Sequence, residues 1–129
     1  MTITKGIRGQ KELLVTEEVT AARMGSGLLE VLATPAMIAL AESTAMESVQ
    51  PLLEEGQGTV GTRLDIAHIA ATPVGMTVRC ETELVEVDRR RLVFAVKVCD
   101  DKELVGEGIH ERFIIDSARF LQKAQGKRV

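Results

Sequence analysis

The 129-residue sequence has very few aromatic side chains: it contains three phenylalanines and neither tryptophan nor tyrosine. The core must therefore be built from aliphatic side chains, and the aromatic platforms on which single-stranded nucleic acids stack are missing. Acidic residues outnumber basic ones by 19 to 16, so no overall positive field exists to attract nucleic acid or anionic lipid. We therefore expect no nucleic-acid partner.

Cysteines and long apolar runs are also scarce. Cys80 and Cys99 lie in separate strand-like segments without CxxC or histidine-rich spacing, which argues against a zinc site and fits reduced thiols. Residues 1–14 lack the continuous apolar segment of a secretory signal, and no apolar run approaches the ~20 residues of a membrane span. We expect a cytoplasmic protein with no membrane partner and no metal.

The remaining pattern is that of one α+β domain over residues 1–129, because no linker or repeat divides the chain. A first strand is predicted over residues 11–20. The run "ATPAMIALAESTAMESVQPLLEEG" predicts the only long helix, with apolar residues at helical spacing. Thr34 is expected to be its N-cap, Pro35 its first helical residue, and Pro51 the residue that kinks or ends it.

Four strands are predicted after this helix, and short polar turns join the last three into an antiparallel meander. Their predicted ranges are 59–72, 76–87, 90–100 and 102–116. One helix cannot cover both faces of a five-stranded sheet, so the sheet is expected to wrap around the helix, as in a hot-dog fold. Small helix residues allow this close approach: Ala36, Ala39, Ala41, Ser43 and Ala45. The uncovered edge and outer face predict a homodimer or a larger assembly.

One histidine interrupts the apolar end of the second predicted strand. Strand alternation places one set of residues toward the helix: Val60, Thr62, Leu64, Ile66 and His68. It places the other set on the opposite face: Gly61, Arg63, Asp65, Ala67 and Ile69. A histidine among apolar neighbours is either a core residue bonded to the backbone or a group presented for chemistry. Alternation alone leaves both interpretations open.

Glu42 is the second unusual residue, because Ile38, Ala45 and Met46 lie one helical turn away from it. Desolvation by apolar neighbours makes a carboxylate more basic, which suits a general base or a nucleophile. The alternatives are a hydrated helix flank or an ion pair with Arg63 or Arg79.

Thr34 needs no explanation beyond a helix cap, yet a helix N-terminus also presents free N–H groups that can hold an oxyanion or a carbonyl oxygen. Eight residues separate Thr34 from Glu42, about 12 Å along a helix. The two side chains could therefore bracket a substrate without touching. No GxSxG elbow, Walker loop, dinucleotide fingerprint or HExxH motif is present, and both cysteines are interpreted as structural thiols.

The stretches "VTEEVTAARMGSGLLEVLATPAMIALAE" and "GTVGTRLDIAHIAATPVG" together resemble the thioesterase-like hot-dog family that includes fluoroacetyl-CoA-specific thioesterases. The resemblance spans roughly residues 13–115, and its most specific parts are "MGSG", "ATPAMIALAE" and "HIAATPVG". It implies a dimeric hot-dog enzyme that hydrolyses acyl-CoA thioesters without metal or cofactor.

The resemblance also implies roles for individual residues. The family's catalytic threonine, glutamate and histidine fall on Thr34, Glu42 and His68, and a glycine beside the substrate falls on Gly61. Pro35, next to Thr34, is also expected to contact the substrate. These include the residues that the sequence pattern alone marks as unusual.

The sequence departs from the family in one segment. Fluoroacetyl-specific members are marked by aromatic residues in a lid ahead of the helix, whereas residues 23–33 contain none. We therefore expect a general short-acyl-CoA or aryl-acyl-CoA substrate. Two alternatives stay open: a non-catalytic acyl-CoA-binding hot-dog module, and a hydratase that would use Asp65 with His68. Alternation places those two side chains on opposite faces and disfavours the hydratase.

Overall fold

The computed structural model describes residues 2–128, in which one curled sheet surrounds one long helix. The elements are β1 (Arg8–Leu14), α1 (Ala21–Met24), α2 (Thr34–Val49), β2 (Gln57–His68), β3 (Thr77–Asp88), β4 (Arg91–Cys99), β5 (Leu104–Asp116) and α3 (Ser117–Gln125). The strand order is β1-β3-β4-β5-β2, and every neighbouring pair is antiparallel. The predicted hot-dog arrangement and the meander of β3, β4 and β5 are confirmed.

Helix α2 can lie close to the sheet because its buried face is rich in small residues, with Ala36, Ala41 and Ala45 all buried. The sheet contributes as well: a Cβ on Gly106 would lie 2.7 Å from the sulfur of Met37. The predicted contact face is wrong for Ala39 and Ser43, which are not among the buried residues of α2. The core is otherwise mostly aliphatic, as the scarcity of aromatic residues predicts, with Phe94 as a buried aromatic member.

The first strand lies earlier than predicted, at Arg8–Leu14 and not at 11–20. Residues 17–19 form a 3-10 turn, and the buried hydroxyl of Thr20 accepts a hydrogen bond from the N–H of Arg23, capping the short helix α1. Threonine and valine favour strands in general, but local capping by a threonine hydroxyl competes with strand pairing here.

The start of α2 also differs from the prediction. Ala33 is the N-cap, Thr34 is the first helical residue, and no side chain caps the helix. Pro35 lies in the first turn, where its missing N–H removes no helical hydrogen bond. The α-helix ends at Val49, and a 3-10 turn that contains Pro51 follows it. Pro51 therefore ends the helix, as predicted, because a proline cannot continue the α-helical hydrogen bonds.

A bulge in β2 changes which residues face the helix. Gly61 pairs with Arg112 and Arg63 pairs with Glu111, so Thr62 is an extra residue that is paired with no residue of β5, although its hydroxyl donates to the carbonyl of Glu111 at 3.2 Å. Directly paired residues point to the same face, and the extra residue shifts the alternation by one. The predicted inward direction is therefore confirmed after the bulge, for Leu64, Ile66 and His68. It is wrong before the bulge, where Gly61 faces the helix and Val60 does not.

Both cysteines are free thiols. Cys80 is buried in the core, and burial raises the pKa of its thiol, which keeps it protonated and unreactive. Among residues 2–128, no cluster of three or more histidine, cysteine or carboxylate side chains could hold a metal ion. No helix in the described part of the chain has the length and apolar character needed to cross a membrane.

Candidate active site

A hydrogen bond between Thr34 and His68 joins the start of α2 to the end of β2. The Thr34 hydroxyl oxygen lies 2.8 Å from Nδ1 of His68. Because this hydroxyl does not cap the helix, its orientation serves the imidazole and not the helix terminus. The structure thus brings together two of the three predicted catalytic side chains.

The other ring nitrogen of His68, Nε2, is buried and has no hydrogen-bond partner among the described residues. An unpaired buried polar group costs on the order of 1–3 kcal/mol, and native proteins rarely retain one without a reason. A histidine that served only the core would be expected to satisfy both nitrogens. The geometry therefore favours the chemical interpretation of His68 over the structural one.

The start of α2 carries backbone donors beside this pair. The N–H of Ala33 donates to the carbonyl of Val19 at 2.8 Å, and Pro35 has no N–H. The amides of Thr34 and Ala36 make no backbone hydrogen bond outside the helix in residues 2–128. Free amides at the positive end of a helix dipole can polarise a carbonyl oxygen.

Glu42 forms an ion pair with Arg112 of β5, with Oε2 lying 3.3 Å from Nη1. The carboxylate is 40% exposed, whereas the arginine side chain is only 7% exposed. The predicted alternatives of Arg63 or Arg79 as partner are wrong. The carboxylate of Glu42 was expected to lie among apolar side chains, but the guanidinium of Arg112 lies against it.

Gly61 lies directly beneath Glu42. A Cβ at this position would overlap Oε2 of Glu42 and would lie 3.2 Å from Cε1 of His110. Only glycine leaves room for the carboxylate, and the bulge at Thr62 turns this position inward. Gly61 and Glu42 therefore form a second predicted pair that the structure brings together.

The group that supports Glu42 was not predicted from the sequence. Arg112 donates to the hydroxyl and the carbonyl oxygen of Thr59, at 2.8 and 2.9 Å, and its Nη1 lies 3.1 Å from Nε2 of His110. The signal was the run "HERF", in which two polar residues two positions apart occupy the inward face of a strand. Polar side chains are unusual there unless they bond one another.

The two predicted pairs do not meet within one chain. Seven residues of β2 separate Gly61, beside Glu42, from His68, which is roughly 20 Å of extended strand. Thr34 and Glu42 are eight residues apart on α2, or about 12 Å. One chain thus presents a Thr34–His68 half of the candidate site at one end of α2 and a Glu42–Gly61 half further along it.

Comparison with known proteins agrees with this architecture. A profile of the family described as fluoroacetyl-CoA-specific thioesterase matches residues 15–118, a span that contains both halves of the site. The chain belongs to this family.

Individual relatives agree with this family assignment and with the hot-dog fold. A fluoroacetyl-CoA thioesterase of Streptantibioticus cattleyicolor is 40% identical over 98 residues, which cover 76% of this chain and 70% of the relative. A solved structure of a fluoroacetyl-CoA thioesterase superposes with a TM-score of 0.94 at 32% identity, covering 98% of both chains. A Thermus thermophilus protein described as a thioesterase superfamily member gives a TM-score of 0.88 at 27% identity, covering 98% of this chain and 96% of its own.

Proposed function

We propose that this family member hydrolyses short-chain acyl-CoA thioesters, with Thr34, Glu42 and His68 as its catalytic residues. The observation that carries the proposal is the hydrogen bond between Thr34 and His68 at the open N-terminus of α2. It places a hydroxyl, an imidazole and free backbone amides at one point, in a chain of the thioesterase family.

In the proposed reaction, the thioester carbonyl oxygen accepts hydrogen bonds at the start of α2, where Thr34 helps to hold it. The Glu42 carboxylate either attacks the carbonyl carbon or removes a proton from an attacking water. The carbon–sulfur bond then breaks, and His68 transfers a proton to the leaving CoA thiolate. If Glu42 is the nucleophile, a water then hydrolyses the acyl–Glu42 anhydride, which releases the free acid and restores the carboxylate. Pro35 and Gly61 line the bound acyl group. Water, side chains and backbone amides suffice for each step.

We propose that a homodimer completes the site. Strand β2 is an edge of the sheet, is 12 residues long, and carries Leu64 at 39% exposure on its inward face. A long edge of this kind tends to pair with another strand. Antiparallel pairing of two β2 edges about a two-fold axis would set the Gly61 end of one strand alongside the His68 end of the other. Glu42 would then face the partner subunit's Thr34 and His68.

The hydratase alternative loses its geometric basis. Asp65 pairs with Ile109 on the outer face of the sheet, whereas His68 points inward to Thr34. A cytoplasmic location is also proposed, because Cys80 and Cys99 are free thiols.

The test is release of free thiol from a panel of acyl-CoAs by the wild type and by Glu42→Gln and His68→Ala. Each variant should lose about 100-fold or more in kcat. Glu47→Gln is the matched control, because Glu47 lies on the same helix but pairs with Lys11 at 2.6 Å on the exposed surface. An inactive wild type that still binds acyl-CoA would establish the non-catalytic binding module instead.

A further inference from the structure

His110 is a fully buried histidine that the proposed chemistry does not use. It lies on the inward face of β5, has no exposed surface, and stacks on Phe94 with ring centroids 6.4 Å apart. Both of its ring nitrogens are hydrogen-bonded, unlike those of His68. An aliphatic residue would fill this space without any polar requirement, so the imidazole needs a separate explanation.

The hydrogen bonds of His110 fix its protonation. Nδ1 lies 2.9 Å from the carbonyl oxygen of Arg63. A carbonyl only accepts, so Nδ1 carries the hydrogen. Burial lowers the pKa of His110, and the nearby charge of Arg112 lowers it further, while the bond to the Arg63 carbonyl acts in the opposite direction. The ring is therefore neutral, and Nε2 presents a lone pair.

That lone pair accepts a hydrogen bond from Arg112. Nη1 of Arg112 lies 3.1 Å from Nε2 of His110 and 3.3 Å from Oε2 of Glu42. Since Nη1 has two hydrogens, one can be directed to each acceptor. Two of the remaining three N–H groups of Arg112, on Nε and Nη2, donate to the hydroxyl and the carbonyl oxygen of Thr59. His110 thus accepts a hydrogen bond from the same nitrogen that holds the carboxylate, and helps to fix the position of the planar guanidinium.

We propose that His110 is a positioning residue for Glu42 and acts through Arg112; this inference rests on the proposed catalytic role of Glu42. The neutral imidazole serves as a hydrogen-bond acceptor and transfers no proton. The bond from Nδ1 to Arg63 also ties this relay to the bulge that turns Gly61 toward Glu42. Loss of the Nε2 acceptor would leave a buried Nη1 hydrogen without its partner, so that the guanidinium shifts as a whole and the carboxylate moves from its reactive position.

Two substitutions distinguish the contributions of the hydrogen bonds at Nδ1 and Nε2 of His110. The amide of His110→Gln reaches the position of Nε2, where its oxygen can accept from Arg112. The amide of His110→Asn reaches only the position of Nδ1, where it can donate to the Arg63 carbonyl. We expect the glutamine variant to keep kcat within about threefold of wild type and the asparagine variant to lose about tenfold or more, because small displacements of a reacting group have large effects. KM should change by less than about twofold in both.

A double-substitution cycle shows whether the effect passes through Glu42. In a Glu42→Gln background, which leaves a residual rate, His110→Asn should cause no further loss of kcat. Equal kcat values for the two His110 variants would overturn the inference. So would a loss of kcat from His110→Asn that is as large in the Glu42→Gln background as in the wild type. Neither result would affect the proposal that the wild type hydrolyses thioesters. An inactive wild type would overturn the proposed function as well.

A further variant covers the case in which His110→Asn does not fold. Arg112→Lys keeps the charge but cannot contact His110, Glu42 and Thr59 together. It should lower kcat by about tenfold or more in the wild type and have no effect in the Glu42→Gln background. A wild-type kcat in Arg112→Lys would contradict the relay. Circular dichroism melting of each variant shows that folded protein is being assayed.

Discussion

The carboxylate of Glu42 occupies the space that any side chain at Gly61 would need. This relationship joins the middle of the central helix to an edge strand, and it exists because a bulge at Thr62 turns Gly61 inward. The ion pair between Glu42 and Arg112 of β5 also lies beside Gly61. The position of the proposed catalytic carboxylate is thus set by three elements, α2, β2 and β5.

Gly61→Ala should displace the carboxylate. The new methyl group would overlap Oε2 of Glu42 and crowd Nη1 of Arg112 at 3.3 Å. We expect kcat for acyl-CoA hydrolysis to fall by about 10- to 100-fold, because a shift of about 1 Å in a reacting group has that effect. Gly58→Ala is the control on the same strand, since its methyl would meet only the flexible ends of Ser117 and Gln50. Unchanged kcat in Gly61→Ala would contradict the assigned role of Glu42.

Thr34→Val should reduce turnover without a large effect on stability. The hydroxyl bonds His68 and caps nothing, so we expect kcat to fall about tenfold or more while the free energy of unfolding changes by less than about 0.5 kcal/mol. Thr34→Ser keeps the hydroxyl and should retain most of the activity. The opposite result, a loss of about 1 kcal/mol with unchanged kcat, would make Thr34 a helix cap after all.

Stability should decrease in mild acid because of His110. Its pKa is lowered in the folded state, whereas in the unfolded chain it takes the ordinary value of about 6.5. Below that pH the unfolded state binds a proton that the folded state does not, so this group lowers stability by up to about 1.4 kcal/mol per pH unit and has no effect above pH ~7. Urea denaturation at pH 7.5 and 5.5 should show a smaller acid loss in His110→Gln than in the wild type. An equal loss of unfolding free energy between pH 7.5 and 5.5 in the two proteins would contradict a neutral buried imidazole at His110.

Fluorinated substrates should have no large advantage. Residues 23–33 contain no aromatic side chain, and Leu28 and Leu29 ahead of α2 are largely exposed. We expect kcat/KM for fluoroacetyl-CoA and acetyl-CoA to agree within about tenfold. The Streptantibioticus cattleyicolor relative, assayed in parallel, is the comparison enzyme. A preference for fluoroacetyl-CoA above about 100-fold would show that selectivity does not depend on an aromatic lid.

Much of the fold could be predicted because its periodicities are strong. The proline at the start of α2, the helical spacing of apolar residues and the alternating strands with short turns each have a local physical cause. The wrong details have local causes too. A threonine hydroxyl capping α1 shortened the first strand, and one extra residue in β2 reversed the face of Gly61.

The candidate site was only partly visible in the sequence. Thr34, Glu42 and His68 stand out as polar residues among apolar neighbours, but their partners come from distant elements. Nothing in the helix pattern could show that Glu42 meets Arg112, 70 residues later. Spacing along α2 shows that Thr34 and Glu42 lie about 12 Å apart. It could not show that His68 lies beside Thr34 and Gly61 beside Glu42, since that depends on how α2 crosses β2.

In the proposed homodimer, Glu42 of one subunit acts with Thr34 and His68 of the other. The most direct test of this shared site mixes Glu42→Gln with His68→Ala protein under conditions that exchange subunits, and measures thiol release from acetyl-CoA. In a mixed dimer, one of the two composite sites has all three wild-type side chains, so random exchange should restore about a quarter of wild-type activity. The separate variants, mixed without exchange, are the control. Activity that stays at the level of the separate variants after confirmed exchange would contradict the shared site.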